Sequence, residues 1–181
     1  MENAVNRLER STREQDIALA RKGDDRAFSR LIEEELLYMY RISKSILQHE
    51  ADVEDAVQEA VIKAWTQLRS LKDNRYFKTW LIRILINQCN EILRKQKRIV
   101  LTNDNINFTE DYEDSSERMA LKDAINRLDG EQRTVIILFY FEDLSYSEIS
   151  YALGIPEGTV KSRLSRAKNK LNNLLSDRIG G

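Results

Sequence analysis

The chain has 181 residues, 41% of them hydrophobic and 33% charged, with a formal net charge of -1. That balance excludes a disordered polymer and supplies enough apolar material for one domain or two small ones. One proline and six glycines are too few turn formers for a sandwich or barrel of many short strands, so the expected class is all-α.

The amino terminus carries Glu2, Arg7, Glu9, Arg10 and Arg13 without an apolar run, and residues 1–15 read as an extension. No signal peptide is expected there, and no stretch reaches the roughly 20 apolar residues of a membrane span. The expected location is therefore the cytoplasm, with no membrane insertion. Cys89 is the sole cysteine and His49 the sole histidine. They make neither a disulfide nor a recognisable zinc site, so no metal and no cofactor are expected.

Helical periodicity runs through Asp16–Arg21, Asp25–Gln48, Ala51–Leu71 and Tyr76–Lys97, with turns at Gly23 to Asp25, His49 to Glu50 and Leu71 to Asn74. In the third segment Val53, Val57, Ala60, Val61, Ala64 and Leu68 share a core-facing stripe. The opposite face holds Asp55, Gln58, Glu59, Ile62 and Trp65. Carboxylates alone would read as a solvated face, but apolar anchors ringed by charge also suit a protein partner.

The fourth segment opens with Tyr76, Phe77, Lys78, Thr79 and Trp80 and ends in Arg94, Lys95, Gln96, Lys97 and Arg98. Two readings stand. Aromatics beside amides and cations suit single-stranded DNA, whose bases stack on rings while cations follow the phosphates. Equally, Phe77, Trp80 and Leu81 fit a plain core, and terminal cations complement the helix dipole.

From Ile99 to Ser116 the chain is polar and loses apolar periodicity; Asp104, Glu110, Asp111, Glu113 and Asp114 fall here without a lysine or arginine after Thr102. A flexible acidic linker is expected, because structureless loops beyond about 15 residues are uncommon inside compact domains; a long surface loop within one domain is the alternative. The expected first domain is 16–98 and the second 117–181.

Beyond the linker, helices are expected at Ser116–Leu128, Gly130–Phe141, Ser145–Leu153 and Glu157–Leu175. Ser145 followed by Glu148 is a capping box, Gly154 suits a left-handed turn, and Pro156 is placed to open the next helix. In the last helix Val160, Leu164, Ala167, Leu171 and Leu175 share one face, and Ser162, Ser165, Arg166 and Asn169 the other. A helix-turn-helix with a cationic outer face can enter the major groove. A helical hairpin with a solvated face is the bland alternative. From Glu157 to Arg178 six cations stand against two carboxylates, a segregation that the overall charge hides.

Three blocks carry a resemblance: Asp52-Val-Glu-Asp-Ala-Val-Gln-Glu-Ala60 with Lys63-Ala-Trp65, then Phe77-Lys-Thr-Trp-Leu-Ile-Arg-Ile-Leu-Ile-Asn87, then Gly158-Thr-Val-Lys-Ser-Arg-Leu-Ser-Arg-Ala167. In this order and at these separations they resemble the extracytoplasmic-function (ECF) sigma factors of the sigma-70 family. The resemblance implies a non-enzymatic, two-domain subunit that directs core RNA polymerase to promoters. Asp52, Asp55, Gln58, Glu59, Ile62 and Trp65 would dock on the β′ clamp helices. Lys72, Asp73, Asn74, Arg75, Tyr76, Asn87, Asn90 and Arg94, with Lys78 and Trp80 from the basic aromatic block, would meet the melted minus-ten strand. Thr159, Lys161, Ser162, Arg163, Ser165 and Arg166 would read the minus-thirty-five duplex beside the β flap, while the acidic linker would thread the RNA-exit path. An anti-sigma factor, often membrane-anchored in the family, would be the regulating partner, with a stress signal upstream. Ser150 stands where the family usually has alanine, and Ser165 where a larger residue is common. A conventional helix-turn-helix regulator remains the rival; no arrangement of catalytic groups argues for an enzyme.

Overall fold

The computed structural model describes residues 12–99 and 116–179, and among these the fold is entirely helical. The expected linker falls almost wholly outside the described residues. Helix α1 covers 12–20 and places Ile17 and Ala20 in the core. It starts within the expected extension: Arg13 pairs with buried Glu35 and lies 5.7 Å from the Phe77 ring centroid. Asp16 accepts from Arg30 Nε at 3.0 Å, and this bond holds its carboxyl below the ordinary aspartate range.

Helix α2 (Asp25–Ile46) starts where Asp24 accepts from the Ala27 amide at 3.0 Å, satisfying one of the free donors of the first turn. Helix α3 (Glu50–Gln67) packs between α2 and α4 (Phe77–Ile99). Its expected core stripe is buried, with Val61 half-buried and Ala56 added. The expected helix to Leu71 stops at Gln67. Leu68–Ser70 tightens into a 3₁₀ turn, closed by Leu71 N donating to Leu68 O at 3.1 Å, and this lets Leu68 and Leu71 both reach the core. Cys89 is a buried small hydrophobe whose Sγ contacts Ser43 Oγ at 3.7 Å; burial pushes its thiol up to about 11.

The second half comprises α5 (Ser116–Asn126), α6 (Gly130–Ile136), α7 (Tyr146–Leu153) and α8 (Glu157–Ile179). Arg133 of α6 is buried and donates Nη2 to Asn126 O at 2.8 Å and to Leu128 O at 2.9 Å, with Nε 3.4 Å from Ile125 O. A cation thus closes the carboxyl end of α5, where unpaired carbonyls carry the negative end of the dipole. Burial lowers the Arg133 pKa, with Asp129 acting in the other direction.

The helix expected over Gly130–Phe141 is regular only to Ile136. Ile137–Phe141 widens into a π turn, with Glu142 N donating to Ile137 O at 3.2 Å, and Asp143 takes a positive φ of 53° to leave it. The extra residue per turn keeps Ile137 and Leu138 in the core while Glu142 points at the first half of the molecule. The two halves touch. Helix α4 packs on α7, and α2 packs on α6 and the π turn, so the buried apolar residues form one continuous cluster.

Candidate nucleic-acid interface

On the outer side of α3, Asp55, Gln58, Glu59 and Ile62 all face solvent, with Ile62 51% exposed. Trp65 is 37% exposed and leans on Phe28, ring centroids 4.9 Å apart, which fixes the indole at the rim of the patch. Asp52 departs from the expected set. Its carboxylate accepts from Gln96 Nε2 at 2.7 Å and ties α3 to the end of α4. Lys63 likewise is engaged internally, donating to Gln88 Oε1 at 2.7 Å with Glu91 3.5 Å away.

The loop into α4 is organised by Asp73, which accepts the Arg75 amide at 3.0 Å and opens a 3₁₀ turn over Asn74–Tyr76. Arg75 folds back on the same carboxylate, with Nη2 at 2.6 Å, and this bond holds Asp73 below its usual range. Asp73 and Arg75 therefore satisfy each other, while Lys72 and Tyr76 are exposed and Asn74 is half-buried.

In α4 the two readings of the aromatic block divide residue by residue. Phe77 and Leu81 are core, and Trp80 is only 8% exposed, so its indole cannot meet a base in this arrangement. Lys78 is half-buried, with Nζ 4.0 Å from the Tyr38 ring centroid and 3.6 Å from Glu142 Oε2. By contrast Asn87, Asn90 and Arg94 are exposed. Their spacing of three and four puts them on one helical stripe, and Arg94 Nε donates to Asn90 O at 3.3 Å.

The helix-turn-helix is built as its residues specify. Ser145 and Glu148 form a reciprocal capping box, with Ser145 N donating to Glu148 Oε2 at 2.9 Å. Gly154 takes φ 67°, ψ 31°, the left-handed conformation. Ser150 does more than fit: its Oγ donates to Ile155 O at 2.6 Å and clips the turn shut. Pro156 lies one residue before the helix, and its carbonyl accepts from Thr159 N at 2.9 Å and Val160 N at 3.1 Å.

Val160, Leu164 and Ala167 seat α8 against α6 and α7. Lys161, Ser162, Ser165 and Arg166 are exposed, and Thr159 is half-buried. Arg163 differs from the expectation. It turns inward to Glu131, Nη2 to Oε2 at 2.8 Å, because its position lies beside the inward stripe of Val160 and Leu164. Arg166 Nε donates to Ser162 O at 3.3 Å, so the cation and the hydroxyl are presented together.

Sequence reasoning missed Arg41, Arg83, Glu142 and Glu148 as bridging residues. Their partners lie in the other half of the chain, as far as 101 positions away, and no local pattern announces them. Among the described residues no three His, Cys, Asp or Glu side chains lie together as a metal site, and no helix is long and apolar enough to cross a membrane.

Residues 31–99 match the family model for Sigma-70 region 2, and residues 118–171 match that for Sigma-70, region 4. The chain is 32% identical over 178 residues to the ECF RNA polymerase sigma factor SigW of Bacillus subtilis, covering 89% of this chain and 95% of that one. The chain belongs to the ECF sigma factors of the sigma-70 family. This ECF sigma factor is also similar to the ECF RNA polymerase sigma-E factor of Escherichia coli K12, at 31% identity, covering 84% of this chain and 88% of that relative. Among solved structures it resembles CnrH in complex with the cytosolic domain of CnrY, with a TM-score of 0.68, 27% identity and coverage of 92% and 98% of the two chains. It also resembles the sigma factor RpoE in complex with the anti-sigma factor NepR from Bartonella quintana, with a TM-score of 0.70, 30% identity and coverage of 82% and 96%. As a sigma factor it is not an enzyme, and its work is done by binding.

Proposed function

We propose that this sigma factor docks on core RNA polymerase through the outer face of α3, captures the melted minus-ten strand with the loop at 72–76 and the Asn87, Asn90 and Arg94 stripe of α4, and reads the minus-thirty-five duplex with α8. The polymerase contacts are the β′ clamp helices for α3 and the β flap for the second domain. The observation that carries this reading is the segregation of exposed chemistry: carboxylates around Ile62 and Trp65 on α3, and cations with small hydroxyl side chains on the free face of α8. The first suits a protein partner with its own positive charge; the second suits phosphates and base edges.

No bond is made or broken by this chain. Duplex recognition at one element sets the register, and capture of unstacked bases at the other favours the open state; unstacking costs a few kcal/mol per step, which pocket and phosphate contacts offset. The sites are individually weak and act together when polymerase fixes their separation. The protein works in the cytoplasm under a stress-responsive anti-sigma factor; the complex of the similar sigma factor RpoE with the anti-sigma factor NepR supports the anti-sigma part of this reading.

The test is transcription in vitro from a promoter library with core polymerase. Asp55→Ala/Ile62→Ala is expected to lose polymerase affinity, and Lys161→Ala/Arg166→Ala to lose upstream promoter selection while still binding polymerase. Unchanged transcripts from both variants would overturn the assignment. Elution of the wild type apart from core polymerase in gel filtration would favour an independent duplex-binding regulator.

A further inference from the structure

Helices α3 and α4, to which polymerase docking and strand capture are assigned, are joined by polar side chains at two places. Lys63 of α3 donates from Nζ to Gln88 Oε1 at 2.7 Å, and Glu91 Oε2 lies 3.5 Å from the same ammonium. Glu91 Oε1 is 3.4 Å from Lys95 Nζ, one turn further along α4. The two cations, Lys95 foremost, hold the Glu91 carboxyl below its usual range. At the other end of the contact Asp52 accepts from Gln96 Nε2 at 2.7 Å. The helices are thus tied at points roughly 16 Å apart along the α3 axis.

Gln88, Glu91 and Lys95 each directly follow a member of the exposed stripe Asn87, Asn90 and Arg94. A tie on those positions therefore fixes where the stripe points. Apolar packing cannot set that angle alone. The buried side of α3 consists of Val53, Ala56, Val57, Ala60 and Ala64, a surface of small side chains, and apolar attraction has no direction. Hydrogen bonds have one. The tolerance is small: a side-chain tip ~5 Å from the α4 axis moves by about 2 Å when the helix turns by about 20°, enough to break a hydrogen bond to a base edge.

We propose that Lys63 is a positioning residue for minus-ten recognition: by holding Gln88 and Glu91 from α3, it fixes the rotation of α4 and with it the direction in which Asn87, Asn90 and Arg94 meet the strand. This rests on the reading of that stripe as the minus-ten surface. Lys63 crosses a polar groove of about 380 Å³ bordered by Asp55 and Glu59 of the docking face, so the docking face and the tie share one helix. With α3 held on polymerase, the tie aims the stripe in the frame of the polymerase. The side chains of Lys63 and Glu91 are 37% and 44% exposed, so their ion pair adds little to stability. Gln88 is buried and gives the ammonium a fixed acceptor. Loss of the tie is therefore read as loss of selectivity in a folded protein.

The experiment uses the full chain in holoenzyme, on promoters in which each base of the minus-ten element is varied. Lys63→Met keeps the aliphatic stem and removes the ammonium. It is expected to lower the preference for the favoured base about fivefold at the positions met by the stripe, with helical content, affinity for core polymerase and minus-thirty-five selection unchanged. Lys63→Arg keeps a donor to Gln88 and is expected to retain most of the preference. Lys22→Met removes the same charge from an exposed turn and is expected to change nothing. Glu91→Gln weakens the tie from the α4 side and should reduce the preference as well, and the double variant Lys63→Met/Glu91→Gln should lose less than the two single losses combined. An unchanged base preference in Lys63→Met overturns the proposal. So does a loss of core affinity with base preference intact, which would make Lys63 a polymerase contact, or a uniform loss on all promoters with early unfolding, which would make it only a structural residue. Asn90→Ala separates the two readings. If it leaves base preference intact, the minus-ten assignment falls and the proposal with it; if it loses preference while Lys63→Met does not, the assignment stands and the positioning role alone is refuted.

Discussion

Arg133 offers a test in which the size of the effect follows from the contacts. Replacing it with methionine keeps most of the buried stem and removes the guanidinium, so the lost quantity is mainly the carbonyl cap of α5. Two of its bonds, at 2.8 and 2.9 Å, have good length, and the third, at 3.4 Å, adds little. A hydrogen bond to a charged group is worth about 1.5–3 kcal/mol, but the desolvation of the cation, visible as its lowered pKa, offsets part of that. The Asn126 and Leu128 carbonyls then lose the guanidinium as donor, so a net loss of about 2–3 kcal/mol is expected. In a unit of this size that corresponds to a fall in Tm of roughly 10–20 °C for the second domain. Thermal unfolding followed by circular dichroism, with Arg133→Lys as the comparison, reads it directly. Lysine keeps the charge but cannot span both carbonyls with one planar fork and should fall between. A methionine variant within about 0.5 kcal/mol of wild type would refute the capping role.

Gly154→Ala is expected to cost about 1 kcal/mol and to weaken binding of minus-thirty-five duplex by holoenzyme, because nothing crowds an added Cβ and the whole penalty is the left-handed backbone. Urea unfolding measures the first effect and fluorescence anisotropy the second; Gly154→Asn should retain more of both. Cys89 should resist thiol reagents in the native protein and react on unfolding, since burial holds the thiol near 11. Labelling at native rates comparable to a free thiol would contradict the packing of α4 on α2. Asp16 is a depressed carboxyl, so its contribution to stability is present above the ordinary aspartate range and is lost as pH falls through its lowered native value. The Tm difference between wild type and Asp16→Asn should therefore shrink on acidification, and a difference that persists unchanged at strongly acid pH would rule out the Arg30 pairing as its cause.

Much of the architecture was legible because helix periodicity and capping are local properties. The stripe of Val53, Val57, Ala60 and Ala64, the Ser145 and Glu148 box, and the left-handed Gly154 each depend on residues within a turn or two, and each is found as read. Side-chain availability is of a different kind: Asp52 meets Gln96, Trp80 takes the core side of its two readings, and Arg163 meets Glu131, partners that sequence spacing does not place nearby. Ser150, standing where the family usually has alanine, is a hydrogen-bond donor whose role no local pattern announces, because the Ile155 carbonyl it meets is positioned only once the turn is made.

The order of amphipathic and charged segments along the chain was enough to establish the fold class, the helix-turn-helix and the family, since those follow from short-range geometry and residue chemistry. Which side chains remain available to a partner was decided by tertiary structure alone. The π turn after Ile136 aims Glu142 across the joint, α7 lies on α4, and Lys78 acquires a carboxylate neighbour that is 64 positions away in the chain. Contacts of that range depend on how two already folded units fit together, and complementary packing between faces leaves no periodic trace in either segment.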